Sequence, residues 1–279
     1  MDIAFLKLHA AGNDYICIDT DKTSAPEEKH LGPLAQKICD RRIGVGGEGL
    51  FYLTVDEHGR IAARVLTAEG GEGETCGAAL QCAARYAYDA GLVKGKSFSI
   101  TRGQRAVSLE IIDSINIRQD AGAPRSLDSA AELREVSDGV FTKPLVIDGH
   151  EYSCTPVALD EPHAVLFVAG FGLTLPQLAR KIEADPLFRG AAGVTFVRVF
   201  SRDELQVRAW KRGANERHGC PETAAAGLVA AALNGFAERE AVVHLRGGDV
   251  FVEWDEGTNH VFFTGPAEYV FSGNYYFEE

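Results

Sequence analysis

Glu74-Thr75-Cys76-Gly77-Ala78-Ala79 and, 144 residues further on, Gly219-Cys220-Pro221-Glu222-Thr223-Ala224 are two versions of one pattern. In each, a cysteine ends a loop and opens a run of small residues that reads as a helix. A thiol there sits at the positive end of a helix dipole, which favours thiolate. The same offset carries Arg64 to Arg208, Ala87 to Ala231, Gly91 to Gly235, Arg102 to Arg246 and Gly103 to Gly247 without a gap. Each copy is therefore a strand holding the arginine, a turn, the cysteine, an alanine-rich helix stopped by Gly91 or Gly235, and a strand entering an Arg-Gly turn. Six matches in one register indicate duplication, and hence two similar domains.

A chain of 279 residues has room for two domains of ordinary size, each with its own core. The apolar fraction of 46% and charged fraction of 24% are those of a soluble globular protein, and no apolar run approaches a membrane span. Met1 to Lys7 lacks the basic start and long apolar stretch of a signal peptide, so the expected location is the cytoplasm. A formal charge of -12 argues against nucleic acid or an anionic membrane as partner and leaves a small-molecule ligand. The six cysteines are sparse and irregular, unlike a secreted disulfide framework. No Cys-x-x-Cys pair, Walker A loop or dinucleotide fingerprint occurs, so no metal and no cofactor are expected.

Taken in order, Ile3–Leu8 and Tyr15–Asp19 form a hairpin with a polar tip at Ala10 to Asp14. Leu34–Cys39 is a short helix, and Arg42 to Gly49 is a loop whose glycines let backbone approach a ligand. Strands are expected at Phe51–Val55, Ile61–Thr67, Ser97–Thr101, Val107–Ile112 and Ile115–Arg118. Ala121 to Ser129 reads as the crossing between domains. Beyond it come strands at Lys143–Ile147, Tyr152–Ala158 and Ala164–Val168, a helix capped by Thr174, a hairpin of Val194–Phe200 with Leu205–Lys211, and the second cysteine helix at Glu222–Asn234. The expected fold class is α+β: two pseudo-symmetric domains, each a curled, mostly antiparallel sheet around a central helix.

Two thiols at equivalent places suit one difficult reaction, the inversion of an amino-acid α-carbon. One thiolate removes the α-proton and the other thiol returns a proton to the opposite face. The N–H groups of the helix starts hold the substrate carboxylate and steady the carbanion. A single cysteine near a helix start is more often a small packed residue, and a redox pair is usually close in sequence; the symmetric placement favours catalysis.

The chain resembles the diaminopimelate epimerase family of cofactor-independent, two-cysteine amino-acid racemases and epimerases. The residues that carry the resemblance are Phe5-x-Lys7-x-His9-x-x-Gly12-Asn13-Asp14-Tyr15, Arg42-x-Gly44-Val45-Gly46, Cys76-Gly77, Pro162-His163, Arg212-Gly213 ahead of Cys220, and Thr264-Gly265-Pro266-Ala267. The resemblance implies an N-terminal domain of residues 1–120 plus 267–279 and a C-terminal domain of 121–266, with Cys76 and Cys220 as catalytic pair facing each other across the α-carbon. It also implies that Asn13, Thr67, Gly77, Ala78, Glu161, His163, Gly193, Lys211, Arg212, Glu222 and Thr223 stand at substrate-binding positions. Several of these depart from the family. Asparagines expected at three of them are Thr67, Glu161 and Gly193, and the glutamate before Arg-Gly is Lys211. The Asn-Gly after the first cysteine is Ala78-Ala79, an arginine further on is Gln81, and Pro221 has no N–H to give. A different amino-acid substrate is therefore expected.

For the remaining residues, His163 is read as tuning Cys76 and Arg212 as pairing with a substrate carboxylate. His9 reads as structural, Glu48 and Glu69 as solvated, and Cys17, Cys82 and Cys154 as core. The competing readings are a same-fold isomerase or dehydratase using proton abstraction, and a non-catalytic amino-acid-binding protein. A homodimer is one assembly left open.

Overall fold

The structure, a computed structural model, describes all residues except 21, 24, 25, 74, 75, 126–141, 173, 174, 185–192, 212–215 and 279, and only the backbone of Lys143, Lys211 and Arg217. The chain divides into two compact units, Met1–Gln119 with Gly265–Glu279, and Asp120–Thr264.

The first unit contains β1 (Asp2–Ala10), β2 (Asn13–Ile18), α1 (Glu28–Cys39), β3 (Gly49–Val55), β4 (Ile61–Thr67), α2 (Gly77–Asp89), β5 (Ser97–Arg102), β6 (Arg105–Ile111) and most of β7 (Asn116–Gly122). Its strands lie side by side in chain order. The last strand, β16 (Val261–Tyr276), starts in the second unit, and its later part pairs antiparallel with β1 from Ala10↔Ala267 to Asp2↔Tyr276. On its other edge, Ala267 donates to the carbonyl of Ile115 at 2.8 Å, so the sheet closes on itself. The enclosed element is α2, buried from Gly77 to Ala87.

The second unit contains β8 (Lys143–Ile147), β9 (His150–Ala158), β10 (Pro162–Phe167), α3 (Leu175–Ala184), β11 (Gly193–Val199), β12 (Glu204–Lys211), β13 (Glu216–Arg217), α4 (Pro221–Leu233), β14 (Glu240–Leu245) and β15 (Gly248–Trp254). Here the spatial order is β16-β15-β14-β12-β11-β10-β9-β8, with β13 beside β12. α4 is buried along its whole length, which explains why it is apolar on every side beyond its first turn. It approaches the sheet closely: a Cβ on Gly227 would lie 3.0 Å from Val207 Cγ2 and 3.3 Å from Val197 Cγ2.

Helix placement follows from strand direction. Antiparallel neighbours need only a tight turn, whereas parallel neighbours need a crossover. The parallel pairs β2–β3, β4–β5, β10–β11 and β12–β14 are bridged by α1, α2, α3 and α4 in turn. The fold is thus α+β as expected, with antiparallel pairs in the majority. α2 and α4 begin and end in the repeat register, at Gly77–Asp89 and Pro221–Leu233. Gly91 and Gly235 each take a φ of +70° just beyond them, where a side chain would be strained.

Three details differ from the sequence reading. α1 starts at Glu28 rather than Leu34, with Pro33 inside it. Leu31, Leu34, Ala35 and Ile38 bury one face of the helix, and that burial outweighs the single backbone hydrogen bond that proline removes. β7 runs on to Gly122, so the stretch read as a crossing begins as strand. β13 is a two-residue strand that the reading passed over. The cap assigned to Thr174 falls outside the described residues.

Candidate active site

The part of the site in the first unit rests on the β1–β2 hairpin and the start of α2. The hairpin turns through Ala11 and Gly12, both at positive φ, and Asn13 follows, 5% exposed. Asp14 accepts from Lys7 at 2.9 Å and from both terminal nitrogens of Arg41 at 3.0 and 2.7 Å. Burial raises its pKa, but the bonds from Arg41 and Lys7 outweigh burial and hold the carboxyl below its ordinary range. Lys7 also donates to the carbonyl of Gly46 at 2.6 Å, and Glu48 N–H to that of Asp14 at 2.7 Å. One carboxylate and one ammonium thus fasten the glycine-rich loop to the tip that carries Asn13. Gly44 shows why that loop needs glycine: a Cβ there would meet the carbonyl oxygen of Lys37 at 2.2 Å. Glu48 is exposed and paired with Arg41.

Cys76 is the N-cap of α2, in extended conformation (φ -69°, ψ 164°), and its carbonyl accepts from Leu80 N–H at 3.1 Å. The side chain does not cap the helix. Its sulfur lies 2.8 Å from the hydroxyl oxygen of Tyr15 on β2. Gly77 and Ala78 follow, buried, in the first turn, whose N–H groups lie outside the helix's own ladder. Thr67 ends β4 half-buried, opposite Gly49.

In the second unit Cys220 is the N-cap of α4, with Pro221 at the first helical position. Its thiol donates to Glu222 Oε2 at 3.2 Å. Thr223 directs both its hydroxyl (2.7 Å) and its N–H (3.0 Å) to the carbonyl of Cys220, so those donors close the first turn. His163 is 4% exposed on β10, opposite Gly193 at the start of β11. Gly193 in turn faces Lys211 at the end of β12. Glu161 is half-buried just before β10. Arg212 lies outside the described residues.

The register relates these two sets. Gly49 sits opposite Thr67 and beside Tyr15; Gly193 sits opposite Lys211 and beside His163. His163 therefore holds in its unit the register position of Tyr15. The arginines of the repeat behave alike as well. Arg64 binds Glu72, and Arg208 binds Glu216, at the same offset of 144 residues. Leu66 bridges to Glu72 as Trp210 does to Glu216. The glutamates are hard to pair from the sequence because their neighbours are unlike: Gly71 and Gly73 flank Glu72, whereas Asn215 and Arg217 flank Glu216. For Tyr15 the signal in the sequence is strand period, which puts Asn13, Tyr15 and Cys17 on one buried face.

Of the six cysteines, only Cys76 and Cys220 are part-exposed. Burial pushes the thiols of Cys17 and Cys82 well above their usual range and that of Cys39 to about 12, so these three stay protonated and inert.

Two mixed sheets, each holding a helix that starts at a part-exposed cysteine, make a fold that solved structures share. A predicted epimerase from Pseudomonas aeruginosa superposes with a TM-score of 0.70 at 16% identity, covering 99% of this chain and 100% of that one. A hydroxyproline epimerase from Agrobacterium vitis, with trans-4-hydroxy-L-proline bound, gives 0.66 at 12% identity over 98% and 92%. In sequence, the diaminopimelate epimerase family model matches residues 5–126 and 157–270. A diaminopimelate epimerase of Pelotomaculum thermopropionicum is 37% identical over 97% of this chain and 98% of its own length. The chain belongs to the diaminopimelate epimerase family, and it is an isomerase of the racemase and epimerase class. Among the described residues no helix is long and apolar enough to cross a membrane.

Proposed function

We propose that this enzyme inverts the α-carbon of an amino acid by a two-thiol mechanism using Cys76 and Cys220, and that its substrate differs from diaminopimelate. The observation that carries the mechanism is the pairing itself: two N-cap cysteines in one repeat register, part-exposed where Cys17, Cys39, Cys82 and Cys154 are buried. Cys76 as thiolate takes the α-proton and becomes a thiol, leaving a carbanion. Cys220 as thiol protonates the other face and becomes a thiolate. Solvent then removes one proton from Cys76 and returns one to Cys220, and the reverse reaction exchanges the roles.

The substrate carboxylate is assigned chiefly to the start of α2, where Gly77 and Ala78 have N–H groups, because Pro221 has none to offer at the start of α4. Asn13, tied down through Asp14, and Arg212 are assigned to the remaining polar groups of the substrate head, and His163 to the wall of the pocket. Specificity is read from Thr67, Glu161, Gly193 and Lys211. Three of these replace asparagine amides that could hold a distal amino-acid head, and each lost contact costs about 1–3 kcal/mol. A smaller polar or basic amino acid is the expected substrate.

The test is α-proton exchange with solvent deuterium across a panel of amino acids, with kcat/KM measured for each that exchanges. Expected are preference for such a substrate over diaminopimelate and loss of racemisation in both Cys76→Ala and Cys220→Ala. Full turnover by either variant overturns the two-thiol mechanism. Diaminopimelate as the best substrate by a wide margin overturns the reading of specificity.

A further inference from the structure

We propose that the two thiols rest in unlike protonation states, Cys76 held as thiolate by the Tyr15 hydroxyl and Cys220 held as thiol by the Glu222 carboxylate, so that the free enzyme is set to receive one enantiomer. The proposal rests on the two-thiol reading above and assigns Tyr15 and Glu222 as positioning residues that act through the cysteines.

Both sulfurs stand at a helix start, so the field of the helix favours thiolate at each and cannot tell them apart. Their hydrogen-bond partners can. The hydroxyl of Tyr15 and the sulfur of Cys76 are 2.8 Å apart and either atom can donate, but a phenol is a far better donor than a thiol, so the contact is strongest with the proton on Tyr15 and the sulfur charged. Tyr15 is 5% exposed, which shields that bond from competing water. An ionised carboxylate only accepts, so the contact of 3.2 Å between Cys220 and Glu222 requires the proton to sit on sulfur. A thiolate there would set two negative charges side by side with Glu222 8% exposed.

Among the described residues, charged groups on the neighbouring elements have partners of their own. In the first unit Asp14 on β2 is answered by Lys7 from β1 and Arg41, and Cys82 on α2 is a protonated core thiol. In the second unit Glu216 on β13 is answered by Arg208 from β12 and Arg246, and His218 is exposed. His163 on β10 holds the register position of Tyr15, and its effect on Cys220 is tested below.

The enantiomer whose α-hydrogen faces Cys76 is therefore taken up directly. Each such turnover leaves Cys76 as thiol and Cys220 as thiolate, and both must exchange a proton with solvent before the next.

The experiment is alkylation of the full-length protein by iodoacetamide from pH 5 to 10, without substrate, followed by peptide mass spectrometry of each cysteine. The pH midpoint is read rather than the rate, because exposure changes rate but not midpoint. In the native protein the midpoint at Cys76 should lie at least about one pH unit below that at Cys220, a tenfold difference in proton affinity. Tyr15→Phe, which keeps the ring, should raise the Cys76 midpoint and leave Cys220 unchanged. Glu222→Gln should lower the Cys220 midpoint and leave Cys76 unchanged. Circular dichroism confirms that each variant is folded. Coincident midpoints in the native protein overturn the proposal, as does either substitution failing to move its own cysteine. If His163→Asn moves the Cys220 midpoint and Glu222→Gln does not, control belongs to the imidazole and the proposal falls. Since no turnover is read, these outcomes stand apart from those of the two alanine variants.

Discussion

Replacing Asp14 by asparagine tests whether a single carboxylate fastens the first unit's contribution to the site. Its side chain is 17% exposed, and that of Lys7 13%, so their bond at 2.9 Å is largely screened from water. Arg41 is 55% exposed, and its pair with Asp14 belongs to the weak surface class of about 0.2–1 kcal/mol. Breaking a fully buried pair costs about 3–5 kcal/mol. Here the asparagine oxygen still accepts and Lys7 keeps the carbonyl of Gly46, so the Lys7 contribution falls to about 1.5–3 kcal/mol. The sum is about 2–4 kcal/mol, which lowers the melting temperature by roughly 5–15 °C for a domain of this size. The double variant Asp14→Asn with Lys7→Met should recover about 1 kcal/mol or more, because the stranded ammonium is gone. The pH dependence has a definite sign. The folded-state pKa of Asp14 lies below the ordinary 3.8, so its stabilisation is complete above that value and is lost as pH falls through the lower, folded value. Calorimetry of the wild type and variants from pH 7 downward measures both effects, with kcat/KM at pH 7 alongside, which should fall as Asn13 and the Gly46 loop loosen. A destabilisation under 0.5 kcal/mol, or a gap that stays constant below pH 3.8, refutes the reasoning.

Four further substitutions, at three positions, probe packing and symmetry. Gly227→Ala should change stability by no more than about 1 kcal/mol, since better helix propensity offsets a contact of 3.0 Å with Val207, whereas Gly227→Val should cost about 1–3 kcal/mol in urea unfolding. Arg208→Met should cost about 1–3 kcal/mol and Arg64→Met under about 1, because Glu216 is 12% exposed and Glu72 is 72% exposed; equal losses would show that the two arginines are not distinguished by burial.

The repeat was legible because it lies in chain order: the matched arginines, cysteines and glycines fix where α2 and α4 start and stop. α1 was read short because Gly32-Pro33 is a breaker by composition, and only the burial of Leu31 beside Leu34 shows that tertiary packing overrides it. The partners of the two sulfurs were less accessible. Glu222 is two residues from Cys220, but its direction depends on the extended backbone of Cys220 (φ -111°, ψ 103°). Tyr15 is 61 residues from Cys76 and meets it only because β2 and α2 pack in one core. The equivalence of Tyr15 and His163 is a matter of strand register, for which the sequence offers two unrelated side chains and nothing in common but the neighbouring glycine.

The pairing of β1 with the end of β16 has a consequence for the birth of the protein. Asp2 finds its partner at Tyr276, almost the whole chain away, while the second unit is one continuous run. At roughly 5–20 residues per second of synthesis, the first strand waits some ten to fifty seconds with one edge unmet. Throughout that time Ile3, Phe5 and Leu8 belong to a ring that cannot close, and a ready-made edge invites strangers. Loss of β16 would leave a nascent chain permanently in that state, so the strand that ends at Tyr276 decides whether β1 is ever safely stored.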